Sequence, residues 1–214
     1  MPGIIRILAS GGILIVKWPM PFFAILMASG FSNRYGARNK LLEPFRGKPL
    51  ASHTLDLVCG IGCFEEIFLV YADKNVAALA AAAVSAGFPV RAVFNPSPEK
   101  GQGESARLGV AAAPAAADGY FFFPCDQPLL DAGTVRLLLG AAGPGRIVEP
   151  AGRHSPCFFS ASFRGELLAL NPGEQPRLLK TRHPRAVVAV EVPNPLALAD
   201  VDTPADLEKL AAIC

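Results

Sequence analysis

The sequence predicts a single three-layer α/β domain, a mainly parallel sheet with helices on both faces. Three observations carry that prediction. From Met20 onward short β-rich runs alternate with helical stretches, the pattern of strands joined by covering helices. Residues 22–27 are continuously apolar, as a strand buried on both faces requires. The length of 214 residues, with 51% hydrophobic and 18% charged residues, suits one compact domain and not two large ones.

The elements follow in order. After the first strand comes a long polar loop, then a helix over residues 49–59 with Pro49 at its first turn. Residues 67–71 form the second strand, Asp73 caps an alanine-rich helix that ends at Gly87, and residues 90–94 form the third strand. A loop over 95–103, a helix over 104–112 and a strand over 120–123 come next, and Asp131 caps a further helix. The second half offers strands at 146–149, 157–160 and 186–192 and a helix over 163–170. Thr203-Pro204-Ala205-Asp206 reads as a helix start, with threonine as cap, proline at the first position and an acid at the third.

Composition excludes several classes. Low charge with abundant apolar residues rules out intrinsic disorder, and 20 Gly with 20 Pro, spread without period, rule out a collagen-like repeat. A net charge of +2 is not that of a general nucleic-acid binder, so any basic site is local. The five cysteines, Cys59, Cys63, Cys125, Cys157 and Cys214, show no C-x-x-C pair and no histidine at ligand spacing, which favours buried thiols over a metal site and places the chain in a reducing cytoplasm.

The apolar run at residues 7–16 resembles a signal-peptide core but is about half the ~20 residues a membrane helix needs, and Gly11, Gly12 and Lys17 interrupt or close it. No membrane association is expected. Residues 1–19 are expected to be a dispensable extension ahead of a start at Met20, with the working domain at 20–214.

Chemistry concentrates in three segments. The first is the loop that leaves the first strand, where Ala28, Ser29 and Gly30 let backbone amides approach a phosphate or base, and Arg34, Arg38 and Lys40 supply positive charge. Between residues 29 and 48 five basic residues stand against one acid. Neither the dinucleotide fingerprint nor the P-loop pattern is present. The second segment is Cys125-Asp126-Gln127-Pro128. A carboxylate at the end of a buried strand is costly to desolvate unless a cation meets it, which makes Asp126 a natural magnesium ligand. In the third, Asp200 and Asp202 lie one residue apart on the same side of an extended segment, and either can complete a metal site.

The order and spacing of these segments resemble the nucleotidyltransferases that attach a nucleotide to molybdopterin, most closely the molybdenum cofactor cytidylyltransferases. The resemblance covers residues 22–210. It implies a fold of the nucleotide-diphospho-sugar transferase type and nucleotide binding by Ala28, Ser29, Gly30, Ser32, Arg34 and Lys40. It also implies Mg2+ on Asp126, and a polar loop of Asn95, Gly101, Gln102, Gly103 and Ser105 near the base, ribose or phosphates. The ending Asp200, Asp202, Thr203, Pro204 matches the family's Asp-x-Asp-Thr-Pro.

Ala28-Ser29-Gly30 is closer to the Ala-Ala-Gly loop that accompanies cytosine nucleotides than to the Gly-Gly that accompanies guanine, so the resemblance implies CTP over GTP. Ser29 itself departs from that pattern. So do Tyr35 and the long step from Gly36 to Lys40, while Arg153-His154-Ser155-Pro156 and Gly173-Glu174-Gln175-Pro176-Arg177 only approximate the family's acceptor turns. His154 and Arg177 are accordingly the expected acceptor-binding residues, with Lys180, Arg182 and His183 expected to be mostly solvated.

The implied reaction uses Arg34, Lys40 and Asp126 as catalytic groups and Asp126 with Asp202 as metal ligands. It moves CMP from CTP to the phosphate of molybdopterin, releases pyrophosphate and leaves a product for a molybdoenzyme. Two rivals remain: transfer to a sugar phosphate or other phosphorylated metabolite, and a non-catalytic chaperone that binds nucleotide or cofactor.

Overall fold

The computed structural model describes residues 4–9, 12–17, 21–30, 35 and 39–213. Strands β1 (Ile4–Ala9) and β2 (Gly12–Lys17) pair antiparallel as a two-stranded sheet of their own. The domain proper is built on a seven-stranded sheet. Its members are β3 (Phe22–Ala28), β6 (Ile67–Tyr71), β7 (Val90–Phe94), β8 (Gly119–Pro124), β9 (Ile147–Pro150), β10 (Cys157–Ser160) and β11 (Val187–Val190), and a two-residue ribbon of β4 (Pro44–Phe45) and β5 (Lys48–Pro49) stands apart.

The sheet order is β11-β9-β10-β8-β3-β6-β7, parallel except that β10 runs against both its neighbours. From β3 the chain moves outward to β6 and β7, then returns to place β8 on the other side of β3. That reversal is the topological switch point of an open α/β sheet, and ligands bind in the crevice beyond the strand ends there.

The continuous apolar runs are explained by burial on both faces. Along β3, Phe22, Ala24, Leu26 and Ala28 face one core and Phe23 and Ile25 the other; along β8, Phe121 and Phe123 alternate with Tyr120 and Phe122 in the same way. The first core is covered by α1 (Leu50–Ile61), α2 (Lys74–Ser85) and α4 (Ala132–Ala141). The second is covered by α3 (Gln102–Ala112), α5 (Arg164–Leu168) and α6 (Arg177–Arg182). The predicted three-layer fold is therefore the observed one.

Most local expectations hold. Asp73 and Asp131 cap α2 and α4 through their side chains, and Thr203 with Asp206 forms a reciprocal capping box at α7 (Pro204–Ala211). Cys59, Cys63, Cys125 and Cys157 are free and buried. Burial pushes the Cys59 thiol up to about 11 and the Cys63 thiol to about 12, so neither is a reactive thiolate.

Two readings need correction. The helix expected over 163–170 is a single turn followed by α5, which ends at Leu168. Lys180, expected at a solvated surface, is buried.

Candidate active site

The loop after β3 and the turn after β8 meet across the switch point, and Lys40 joins them. Lys40 sits on a short 3-10 turn, Lys40–Leu42, capped by Asn39 and pinned by buried Leu41. Asn39 also donates to Asp73 at 3.0 Å, which ties this turn to the start of α2 and, together with the cap bond from Asn75, holds the Asp73 carboxyl below its usual range.

The Lys40 ammonium donates to Asp126 Oδ2 at 2.7 Å, to the Val201 carbonyl at 2.7 Å and to Asp202 Oδ1 at 3.4 Å. The Val201 N–H donates in turn to the Asp126 carbonyl at 2.9 Å, so the 200–202 segment is laid against the end of β8 by the backbone itself. Lys40, Asp126 and Asp202, predicted from three distant segments, are thus brought together.

The other Asp126 oxygen, Oδ1, is buried without a hydrogen-bond partner. An orphaned carboxylate oxygen beside a second carboxylate suits Mg2+, which takes one or two protein carboxylates and completes its shell with water and phosphate oxygens. Among the described residues no group of three or more His, Cys, Asp or Glu is placed to hold a metal ion.

The geometry separates Asp200 from Asp202. Asp200 accepts from Gln127 Nε2 at 2.9 Å, and burial, then the charge of Asp126, raise its pKa. Asp202 instead faces Lys40. Asp202, and not Asp200, therefore shares the Lys40 ammonium with Asp126, while Gln127 holds Asp200 aside.

Ser29, Asn95 and Ser105 form a buried polar knot. The Ser29 and Ser105 hydroxyls bond to each other, and Asn95 Nδ2 donates to both at 3.2 Å. All three residues are at most 4% exposed. Their side chains thus brace the loop after β3 against β7 and α3, and the hydroxyl of Ser29 is turned inward. Ala28 is buried, Gly30 is exposed, and Gly101, at φ 83°, makes the turn into α3. Gly103 packs directly under the Glu174 carbonyl, with no room for a Cβ. Ser32 and Arg34 lie outside the described residues.

A cleft of about 330 Å3 opens over these groups, lined by Asp126, Asp202, His154, Gln175 and Arg177 among others. The two expected acceptor residues thus border the same cleft as the carboxylates. His154 stands on the turn between β9 and β10, and Arg177 begins α6.

Sequence reasoning missed the support beneath them. Lys180 Nζ donates to Glu149 Oε2 at 2.5 Å and to the His154 carbonyl at 2.9 Å, fastening α6 to the end of β9 and to the His154 turn. The signal was available in Glu149, an acid at the end of a buried strand like Asp126.

A mainly parallel sheet with its switch point beneath a lysine and two carboxylates, covered by helices on both faces, defines an α/β fold of the nucleotide-diphospho-sugar transferase type. The chain belongs to the MobA-like NTP transferase domain family, which matches residues 24–188.

It is 31% identical over 159 residues to nicotine blue oxidoreductase of Paenarthrobacter nicotinovorans, an alignment spanning 73% of this chain and 74% of that one. It is also 31% identical over 83 residues to CMP-5'-(3-aminopropyl)phosphonate synthase of Streptomyces rubellomurinus, covering 37% of this chain and 13% of that protein. Among solved structures, a nucleotidyl transferase from Methanothermobacter thermautotroptrophicus superposes with a TM-score of 0.76 at 21% identity, covering 91% of this chain and 97% of that one. The manganese complex of Rv0371c from Mycobacterium tuberculosis H37Rv superposes with a TM-score of 0.65 at 26% identity, covering 91% of this chain and 100% of that one.

Proposed function

We propose that the protein transfers CMP from CTP to the phosphate monoester of molybdopterin and releases pyrophosphate. The observation that carries the reading is Lys40 held between Asp126 and Asp202 at the switch point, beside an orphaned oxygen of Asp126. Family membership supports nucleotidyl transfer, and the word CMP in the name of one relative, together with the Ala28-Ser29-Gly30 loop, favours cytidine. The acceptor rests on the resemblance of the motifs.

In this reading an oxygen of the acceptor phosphate attacks the α-phosphorus of CTP. The new phosphorus–oxygen bond forms as the bond to the bridging oxygen breaks, and its electron pair leaves with pyrophosphate. No general base is required, because the second pKa of a phosphate monoester is about 6 and the nucleophile is already ionised. Lys40, with Arg34, neutralises charge building on the leaving pyrophosphate. Asp126 and Asp202 hold Mg2+, which when bound neutralises phosphate oxygens. The backbone at Ala28–Gly30 lies against the nucleotide, while His154 and Arg177 receive the acceptor phosphate. The buried free thiols fit a cytoplasmic setting, and no helix among the described residues is long and apolar enough to cross a membrane.

The test is a pyrophosphate-release matrix of CTP, GTP, ATP and UTP against molybdopterin and a panel of sugar phosphates, with Mg2+. Release with CTP and molybdopterin supports the reading, and release only with a sugar phosphate moves it to the second acceptor class. The oxidoreductase name of the 31% identical relative favours redox chemistry on the same scaffold as the rival. No pyrophosphate with any pair would favour that rival or a binding protein.

A further inference from the structure

Among the described residues the Lys40 ammonium meets three acceptors, Asp126 Oδ2, the Val201 carbonyl and Asp202 Oδ1. This is a built cradle and not a chance surface pair. The Lys40 side chain is only 14% exposed, its turn is fixed by Asn39 and Leu41, and the Val201 peptide is anchored to Asp126 on its other side. Yet these are the two carboxylates that suit a divalent cation, and an ammonium on Asp126 Oδ2 would lie close to a cation held on Oδ1 of the same carboxylate, where the two positive charges repel. Two carboxylates and one ammonium leave a single negative charge. A divalent ion added with Lys40 in place would leave no net negative charge even with Asp200 ionised, and would set two cations against each other at one carboxylate. A triphosphate brings several negative charges and offers the ammonium new acceptors.

We infer that in the free protein Lys40 stands in for the divalent cation between Asp126 and Asp202, so that the cation enters with the nucleotide and not ahead of it. Lys40 thereby acts as a positioning residue before it acts on phosphate. It holds the two carboxylates together while no metal is bound and releases them when the nucleotide phosphates draw its ammonium away. The inference rests on the assignment of Asp126 and Asp202 as the metal pair.

The experiment follows Mn2+ binding by the loss of the free-ion electron paramagnetic resonance signal, without acceptor and without turnover. Measured against a CTP-only control, since CTP itself binds Mn2+, wild-type protein is expected to bind Mn2+ weakly alone and at least about tenfold more tightly once CTP is present, because the phosphates relieve the repulsion. Lys40→Met is expected to bind Mn2+ without nucleotide at least about tenfold more tightly than wild type, since the competing charge is gone. Lys40→Arg, which keeps the charge, stays near wild type, and adding Asp126→Asn to Lys40→Met returns the affinity to the wild-type level.

Equal or weaker Mn2+ binding by folded Lys40→Met overturns the inference, as does a gain that survives Asp126→Asn. If Lys40→Met does not fold, the wild-type measurement decides: tight Mn2+ binding before nucleotide overturns the inference, and nucleotide-dependent binding supports it. A protein that releases no pyrophosphate with any acceptor but shows the Lys40→Met gain loses the proposed function and keeps this inference. Pyrophosphate release with equal Mn2+ affinities does the opposite.

Discussion

Lys180 and Glu149 form an ion pair 2.5 Å long in which the two side chains are only 9% and 15% exposed. Taking two charges out of water costs several kcal/mol, and a well-packed apolar pair is often as stable, so what this pair contributes is position. It fixes the His154 carbonyl and the face of α6 that carries Arg177. Lys180→Met should lower the unfolding free energy by up to about 3–5 kcal/mol, because Glu149, largely buried, then keeps only the exposed His154 ring, 3.3 Å away, as a partner. The double variant Lys180→Met/Glu149→Leu should recover most of that loss. Urea denaturation checks both, and equal losses in single and double variants would show that the two charges are not coupled.

Removing the Ser29 hydroxyl is expected to weaken the fold and loosen nucleotide binding without changing which base is preferred. Ser29→Ala leaves Asn95 and Ser105 short of a buried partner, at a cost of about 1–3 kcal/mol. The loop after β3 then loses its brace, and the KM for CTP rises. Because the hydroxyl points into the knot, the ratio of CTP to GTP turnover should not move. Thermal melts and steady-state kinetics with both nucleotides test this, and a shifted ratio would return Ser29 to the base.

Much of this site was legible because each signal is local and costly to explain otherwise. Asp126 ends a fully buried strand, where an unmet carboxylate is expensive. Asp73, Asp131 and Thr203 announce helix starts through backbone donors that only a side chain at that position satisfies. Only half of the Lys180–Glu149 pair was legible: Glu149 lies at the end of a buried strand, but a lysine near the end of a cation-rich stretch reads as solvated. Helix α6 was not expected at all, because six residues give periodicity too little length to register. Nor does alternation reveal strand direction, which is why nothing in residues 157–160 showed that β10 would run against β8 and β9.

Asp200 predicts a pH dependence with a definite sign. Burial first, then the Asp126 charge, raise its pKa in the folded protein above the usual 3.8, against the opposing bond from Gln127. An acid whose pKa is raised by folding contributes stability that is fully present below its unfolded pKa and is lost as pH rises through the folded value. Asp200→Asn keeps an acceptor for Gln127 and removes the charge. It should be more stable than wild type near neutral pH, with the difference shrinking as pH falls below the carboxylate range. Urea midpoints measured across that range test it, and a variant less stable than wild type at neutral pH would contradict the assignment.

The junction between α3 and the acceptor side depends on Gly103. The Gly173 N–H donates to the Lys100 carbonyl at 2.9 Å, and the Glu174 carbonyl rests where a Cβ of residue 103 would project. Gln175 and Arg177 follow within three residues, so this contact sets where the acceptor side of the cleft begins. Gly103→Ala must push the 173–176 segment off the helix, at a cost of about 1–3 kcal/mol for overpacking. Its larger effect should fall on the acceptor: the acceptor KM should rise at least about tenfold, one methyl displacing a positioning contact, while the KM for CTP changes little. Gly140→Ala is the control. Gly140 lies within α4 with open space around the added methyl, and alanine there should stabilise by about 0.5–1 kcal/mol through helix propensity alone. If Gly103→Ala matches that control in stability and in both KM values, the 173–176 segment does not shape the acceptor side.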